Sequence, residues 1–448
     1  MKKAYTLLFA LLMMTASLAG CLESDDDITD NQFEMIFDSS DHQNILGAQF
    51  FELNGITYFA ISNSLNLENI GIYQTDGTED GTELIWEPSG TAMGDVFVLQ
   101  SSLVFQVGME LWASDGTALG TEMITDFSTS AEFLRIVPWD TNNVGLFVTH
   151  VHHSSSPNAQ QGSASLWISD STTAGTNEVF QYQSIDSSFY SDSSNGILYF
   201  GANDSQSGNE LWMSDGTTQG TEIFYEAVSG YDGVFFEFVY ATSQNVFWSS
   251  TTGSYSNLEN RAFNLATGTT ELIHSNPNIA TIHQHFILEN NLYFVDLNQD
   301  DESQLYFSDG TASGTVMIHQ FTSLVLDVQH TFTMGSNIFF NIREQGSLGS
   351  IWVLDSSNQF SSFGSYHSGE GAASQNPLIY FSSSVDGIDG CSTTSSGSTG
   401  CDKDIFTTDG TLSGTNLLLN TNGDTRHISI HSGILYFTQD HSIHAYTL

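Results

Sequence analysis

Positive charge is nearly missing from this sequence, with seven Lys plus Arg against 52 Asp plus Glu in 448 residues. A chain so acidic repels polyanions, which excludes nucleic acid and anionic lipid surfaces as partners and favours cations and basic partners. Self-repulsion on this scale is tolerable where salt screens it, so the composition points to a marine or saline habitat. Helical periodicity is also lacking: beyond the N-terminus no long stretch repeats its apolar residues every three to four positions. No second apolar segment follows the N-terminal one, and GxSxG, HExxH and P-loop signatures do not occur. With three cysteines there is little thiol chemistry to assign.

What the chain has is internal repetition. ELWASDGTALGT at 110–121 recurs as ELWMSDGTTQGT at 210–221. Looser copies are GIYQTDGTEDGT (71–82), SLWISDSTTAGT (165–176), QLYFSDGTASGT (304–315) and DIFTTDGTLSGT (404–415), with eroded ones at 261–272 and 350–361. An apolar doublet such as Tyr58-Phe59 or Val104-Phe105 precedes each copy, and a ninth doublet, Tyr436-Phe437, follows the last. Successive doublets are no more than 56 residues apart, the length of a four-stranded blade and too short for a domain.

Unit 2 carries the strand pattern. DVFVLQ (95–100), LVFQVG (103–108), MELWAS (109–114) and TEMITDF (121–127) read as four strands, with the SDGTxxGT segment as the hairpin between the third and fourth. There the Gly supplies positive φ, and Asp76, Asp115, Asp170, Asp215, Asp309 and Asp409 cap loop N–H groups as structural turn residues. Trp112, Trp167, Trp212 and Trp352 read as packing between blades. Runs such as LYF suit sheets covered on both faces. Residues 426–448 supply three strands without a fourth, and QFEMIF (32–37) is an orphan strand that completes them. The expected fold is an all-β propeller closed by its N-terminal strand, a single domain over 32–448. The unit count gives nine blades, with eight blades or two smaller rings as alternatives.

These copies resemble the ELWxxDGT repeat family, grouped with hyalin-type repeats, of secreted and surface-anchored proteins. The resemblance covers most of 47–419 and is strongest in units 2 and 4. It implies an extracellular β-propeller and supplies no catalytic residues.

Residues 1–20 read as a signal peptide: Lys2-Lys3, an apolar stretch from Ala4 to Ala16, then Leu18-Ala19-Gly20-Cys21, which resembles a lipobox. Cys21 is the expected lipidation site and 21–31 an acidic tether; the alternative is an ordinary signal peptide. The membrane is then met through the lipid anchor alone, and the rest is extracytoplasmic. Cys391 and Cys401 bracket STTSSGSTG, and an exported chain favours a disulfide between them, worth roughly 2–3 kcal/mol.

Chemistry is harder to read. Asp296, Asn298 and Asp300 have a DxNxD spacing that suits calcium, although Asp301 and Phe307 break the EF-hand pattern. Calcium is thus the one candidate cofactor. Counting back nine residues from each doublet places His330 and His427 at an innermost-strand position, and His150, His152 and His153 form a second cluster. Arg135, Arg261, Arg343 and Arg426 fall at unlike positions in their units, against a sialidase-like site. The sequence reads as a non-catalytic, monomeric surface module that binds an extracellular protein or glycan through its loops, with long excursions near 149–165 and 383–404. Its competitors are a polysaccharide hydrolase or lyase and a calcium-stabilised structural protein.

Overall fold

Each repeat unit becomes one antiparallel sheet of four strands, paired in chain order. In unit 2 these are Met93–Val98, Leu103–Val107, Glu110–Ser114 and Glu122–Asp126. Along the second strand alternate side chains leave by opposite faces. Leu103 and Phe105 pack toward the preceding sheet, with Tyr58 and Ile72, whereas Val104 packs toward the following one, with Leu134 and Leu146. A strand covered on both faces has no need of polar alternation, which accounts for the unbroken apolar doublets.

The computed structural model describes residues 33–38 and 48–448 except 62–69, 129–130, 151–163, 186–190, 205, 227–233, 252–257, 278–283, 299–301, 323, 345–349, 356, 358, 365, 376–377, 386–391, 394–398, 401–402, 422, 424 and 440–441. Nine sheets of this kind form a nine-bladed β-propeller. The innermost strands, from blade 1 to blade 9, are Ala48–Leu53, Met93–Val98, Ala131–Pro138, Ser191–Ser194, Phe235–Ala241, Gln284–Leu288, Val325–Met334, Tyr366–Gln375 and Thr425–His431. Blade 4 carries a second inner piece, Ser184–Ile185, on the same partner strand. One parallel bridge, Glu370↔Arg426, joins the innermost strands of blades 8 and 9. Within the blade 8 excursion Ser392–Thr393 pairs with Thr399–Gly400.

Closure follows the expected route. Glu34–Asp38 pairs with Ser442–Thr447 and supplies the fourth strand of blade 9. Ile36, 3% exposed, joins Phe59, Tyr436 and Ile443 in one cluster, so the strand is held by side chains as well as by its ladder.

Antiparallel order sorts the connections by end. Links between first and second strands, and between third and fourth, lie at one end of the ring, the bend end. Second-to-third links and those between blades lie at the other, the connection end. Bends are short and regular: Asn54-Gly55 and Asn195-Gly196 have positive φ at both positions, as a tight hairpin requires. Most of the long connections leave the opposite end. Glu34 enters the ring at the bend end, where its Oε1 accepts the Glu79 N–H at 2.9 Å. Among the described residues no helix is long and apolar enough to cross a membrane.

Candidate functional sites

The repeated bend is built from its own side chains. In blade 1 the Thr78 N–H and hydroxyl donate to Asp76 Oδ1 at 3.0 and 2.7 Å. The Thr78 hydroxyl in turn accepts the Gly81 N–H at 3.0 Å, and the Thr82 hydroxyl donates to the Thr78 carbonyl at 2.7 Å. Thr75 and Thr82 hydroxyls, 2.8 Å apart, close the base. The same set recurs around Asp115, Asp170, Asp215, Asp309 and Asp409. Hydrogen bonds from the neighbouring threonine, side chain first and backbone second, hold the Asp76, Asp115, Asp215 and Asp409 carboxyls below their usual range.

The two glycines of the motif fit their positions for different reasons. Gly77 has φ +92, and a Cβ there would also strike Ile434 of blade 9. Gly81 has ordinary φ, but its Cβ would occupy the space of the Asp76 carboxylate. Blade 3 has Ser171 in place of the first glycine, still at φ +71, and its hydroxyl lies 2.7 Å from Ser102 Oγ of blade 2. The terminal threonines and the Ser or Thr before each Asp were not singled out from sequence, though every intact copy carries them.

Tryptophans of the motif sit at seams between blades. Trp112 packs on Trp86 at 4.9 Å, Trp167 on Phe127 at 5.3 Å and Trp212 on Tyr182 at 5.2 Å, each partner coming from the preceding blade's outermost strand or its end. Trp352 likewise meets His319 at 5.3 Å.

The position nine residues before each doublet does not map to a single environment. Gln49 clamps the backbone of Val96 in the next blade, donating to its carbonyl at 2.7 Å and accepting its N–H at 2.9 Å, and Gln284 donates once to the Leu326 carbonyl at 3.1 Å. Val137 and Phe238 are buried in seams, while His427, at φ +50, lies 3.0 Å from the Thr438 hydroxyl. Bulges shift the register at Met93/Val96, Phe236/Phe238, His330/Phe332 and Arg426/Ser429, so equal counting does not give equal facing. The side chains of His330 and His150, and residues His152, His153, Cys21, Cys391, Cys401 and Asp300, lie outside what is described.

Asp296 sits at the end of a blade 6 strand, 4% exposed. Its Oδ2 lies 2.6 Å from His274 Nε2 of blade 5, Asn276 Nδ2 donates to both oxygens at 3.0 Å, and the Leu297 N–H donates to Oδ1 at 2.7 Å. Asn298 instead pairs with Glu302, donating at 2.8 Å and accepting its N–H at 2.9 Å. Among the described residues no group of three or more His, Cys, Asp and Glu gathers as a metal centre. Ser249 faces the same seam but is no nucleophile for His274: two strand spacings, about 10 Å, separate them, with Asn260 between.

This seam holds a second imidazole. His285 of blade 6 packs on Phe238 at 4.6 Å, and the Tyr240 hydroxyl lies 2.9 Å from its Nδ1. Burial lowers its pKa from 6.5 to about 4. The unfolded chain therefore binds a proton that the folded one refuses between these values. The stability contributed by the neutral ring is complete above pH 6.5 and is lost as pH falls toward 4. We expect urea midpoints to fall across this window, by up to roughly 3 kcal/mol in stability. His285→Phe should flatten that part of the profile; an unchanged slope would remove His285 as its source.

The channel wall carries a cavity of about 610 Å³, lined by Gly94, Asp95, Phe97, Gln106, Leu134, Arg135, Ile136, Val137, Pro138 and Ser191. The register of the innermost strand of blade 2 shifts beside it, between Met93 and Val96, and a Cβ at Gly94 would press on Gln106. Asp95 and Arg135 are exposed on adjacent blades, and Gln106 is oriented by donating to the Gly108 carbonyl at 2.6 Å. A second cavity, about 540 Å³ and mostly apolar, lies between blades 6 and 7 beside Met317 and Ile338, where the motif of blade 7 is eroded.

No family model matches the sequence, and no curated protein matches it. Solved structures resemble it in fold. BamB from Moraxella catarrhalis is 11% identical with a TM-score of 0.42, covering 91% of this chain and 98% of its own. Oligogalacturonate lyase from Vibrio parahaemolyticus is 10% identical with a TM-score of 0.40, covering 73% and 98%. Dipeptidyl peptidase 4 from Porphyromonas gingivalis is 9% identical with a TM-score of 0.43, covering 90% and 56%. Likeness at this level concerns the scaffold alone.

Proposed function

We propose that this chain is an exported member of the ELWxxDGT repeat family, anchored by lipid on Cys21 and stapled by a Cys391–Cys401 disulfide, that serves as a binding or adhesion module. Its ligand seat is the channel-wall cavity lined by blades 2, 3 and 4. The observation that carries this reading is the register shift between Met93 and Val96 beside a cavity whose volume lies in the range of small-ligand sites. Asp95, Gln106, Arg135 and Ser191 offer both donors and acceptors, with Phe97 as an apolar wall. That mixture suits a hydroxylated ligand such as a glycan unit better than a bare ion.

A glycan array read alongside a turnover assay tests it. We expect retention of particular glycans without released product, and a loss of about 10-fold or more in affinity for Asp95→Asn or Arg135→Gln, the scale of a hydrogen bond to a charged group. Released sugar would favour the hydrolase or lyase reading; retention unchanged by either substitution would move the seat elsewhere.

A further inference from the structure

The seam between blades 5 and 6 is polar where its apolar half ends. Ser249, Asn260 and His274 stand directly opposite one another on three adjacent strands, so their side chains share one face of blade 5. Thr251, two residues beyond Ser249, shares it as well. That face looks at blade 6: Phe247, Leu258 and Ala262 on it pack with Leu292 and Phe294, and His274 reaches Asp296.

Asn260 and Ser249 are 0% exposed and Thr251 is 1% exposed. Neither amide atom of Asn260 has a hydrogen-bond partner, nor has the hydroxyl of Ser249 or Thr251. Buried polar groups in folded proteins are almost always satisfied, by protein or by internal water. Directly opposed residues have Cβ atoms about 4.5–5.5 Å apart, near enough to be bridged by one molecule. Ser249 and Asn260 do not bond each other across that interval.

The open atoms also define what can bind them. Two hydroxyls and a primary amide with both ends open call for a molecule that donates and accepts. The nearby carboxylate has both oxygens engaged by Asn276, His274 and the Leu297 N–H. A cation would meet no unengaged carboxylate oxygen and would leave the Asn260 amino group unpaired. We propose that the seam holds internal water, bridging Ser249, Thr251 and Asn260, as a resident ligand of the ring.

Two measurements decide it. In a crystal structure of the protein with ordered solvent, density is expected within about 2.7–3.2 Å of both amide atoms of Asn260. A seam without solvent, or a peak with ligands at about 2.3–2.6 Å that follows added calcium, overturns the proposal. In thermal denaturation, Ser249→Ala, Thr251→Val and Asn260→Leu should each lower the midpoint by on the order of 2–4 °C, because each strands the bridged partners. If no water is there, removing an unpaired buried group raises the midpoint instead.

Discussion

Gly120→Ala destabilises the ring by roughly 1–3 kcal/mol, the scale of an overpacked site, and Asp115→Ala in the same chain returns part of that loss. Gly120 does not need glycine for its backbone angle. It needs the missing Cβ, because the Asp115 carboxylate occupies that space while accepting from Thr117 at 2.9 and 2.7 Å. Adding a methyl group forces either the carboxylate out of its bonds or the bend open. Removing the carboxylate costs its bonds to Thr117 but vacates the space, so the two losses do not add. Urea midpoints of the two single variants and the double one read the coupling. Simple additivity would mean that glycine is required for some reason other than the carboxylate. Gly116→Ala is the internal comparison: its φ of +91 and the Tyr58 hydroxyl of blade 1 both oppose a side chain, so Asp115→Ala should not rescue it.

Removing residues through Asp38 abolishes the parent's cooperative unfolding transition, the largest effect we expect. Blade 9 would keep three strands, and the Ser442–Thr447 edge would lose its partner in Glu34–Asp38. An unpaired edge of this kind recruits other chains, so light scattering should rise along with the loss of the calorimetric transition. Ile36→Ala separates packing from pairing: it leaves the ladder intact and empties part of the cluster with Phe59, Tyr436 and Ile443, costing about 2–4 kcal/mol. Truncation before residue 32, by contrast, should leave the transition where it was. If deletion through Asp38 also left it unchanged, ring closure would not depend on the N-terminal strand.

Much of this architecture was readable in advance because its determinants are local. A Gly at fixed spacing from an Asp marks a bend, and three terminal strands without a fourth call for the orphan strand at the other end. Contacts made by curvature were not readable. Asp296 looked like part of a loop with Asn298 and Asp300, yet it bonds His274 and Asn276 across a seam, a relation set by how two blades face each other. The innermost strands misled for a related reason. Bulges of one or two residues leave the doublets in place but rotate what precedes them, so Gln49 grips the next blade's backbone while Asp95 lines a cavity. Scarcity helped little with the arginines: Arg135 shares the cavity with Asp95 through blade adjacency, which position within a unit cannot report.

The point at which the polypeptide joins the ring sets its presentation. Because Glu34 comes in beside the Glu79 bend, the chain enters the ring at the end that carries the repeated hairpins. With the anchor proposed at Cys21, the leash to Glu34 reaches at most about 45 Å. On the anchoring proposed above, substitutions in the second-to-third links and in the links between blades would change the surface they form while leaving the point of attachment untouched.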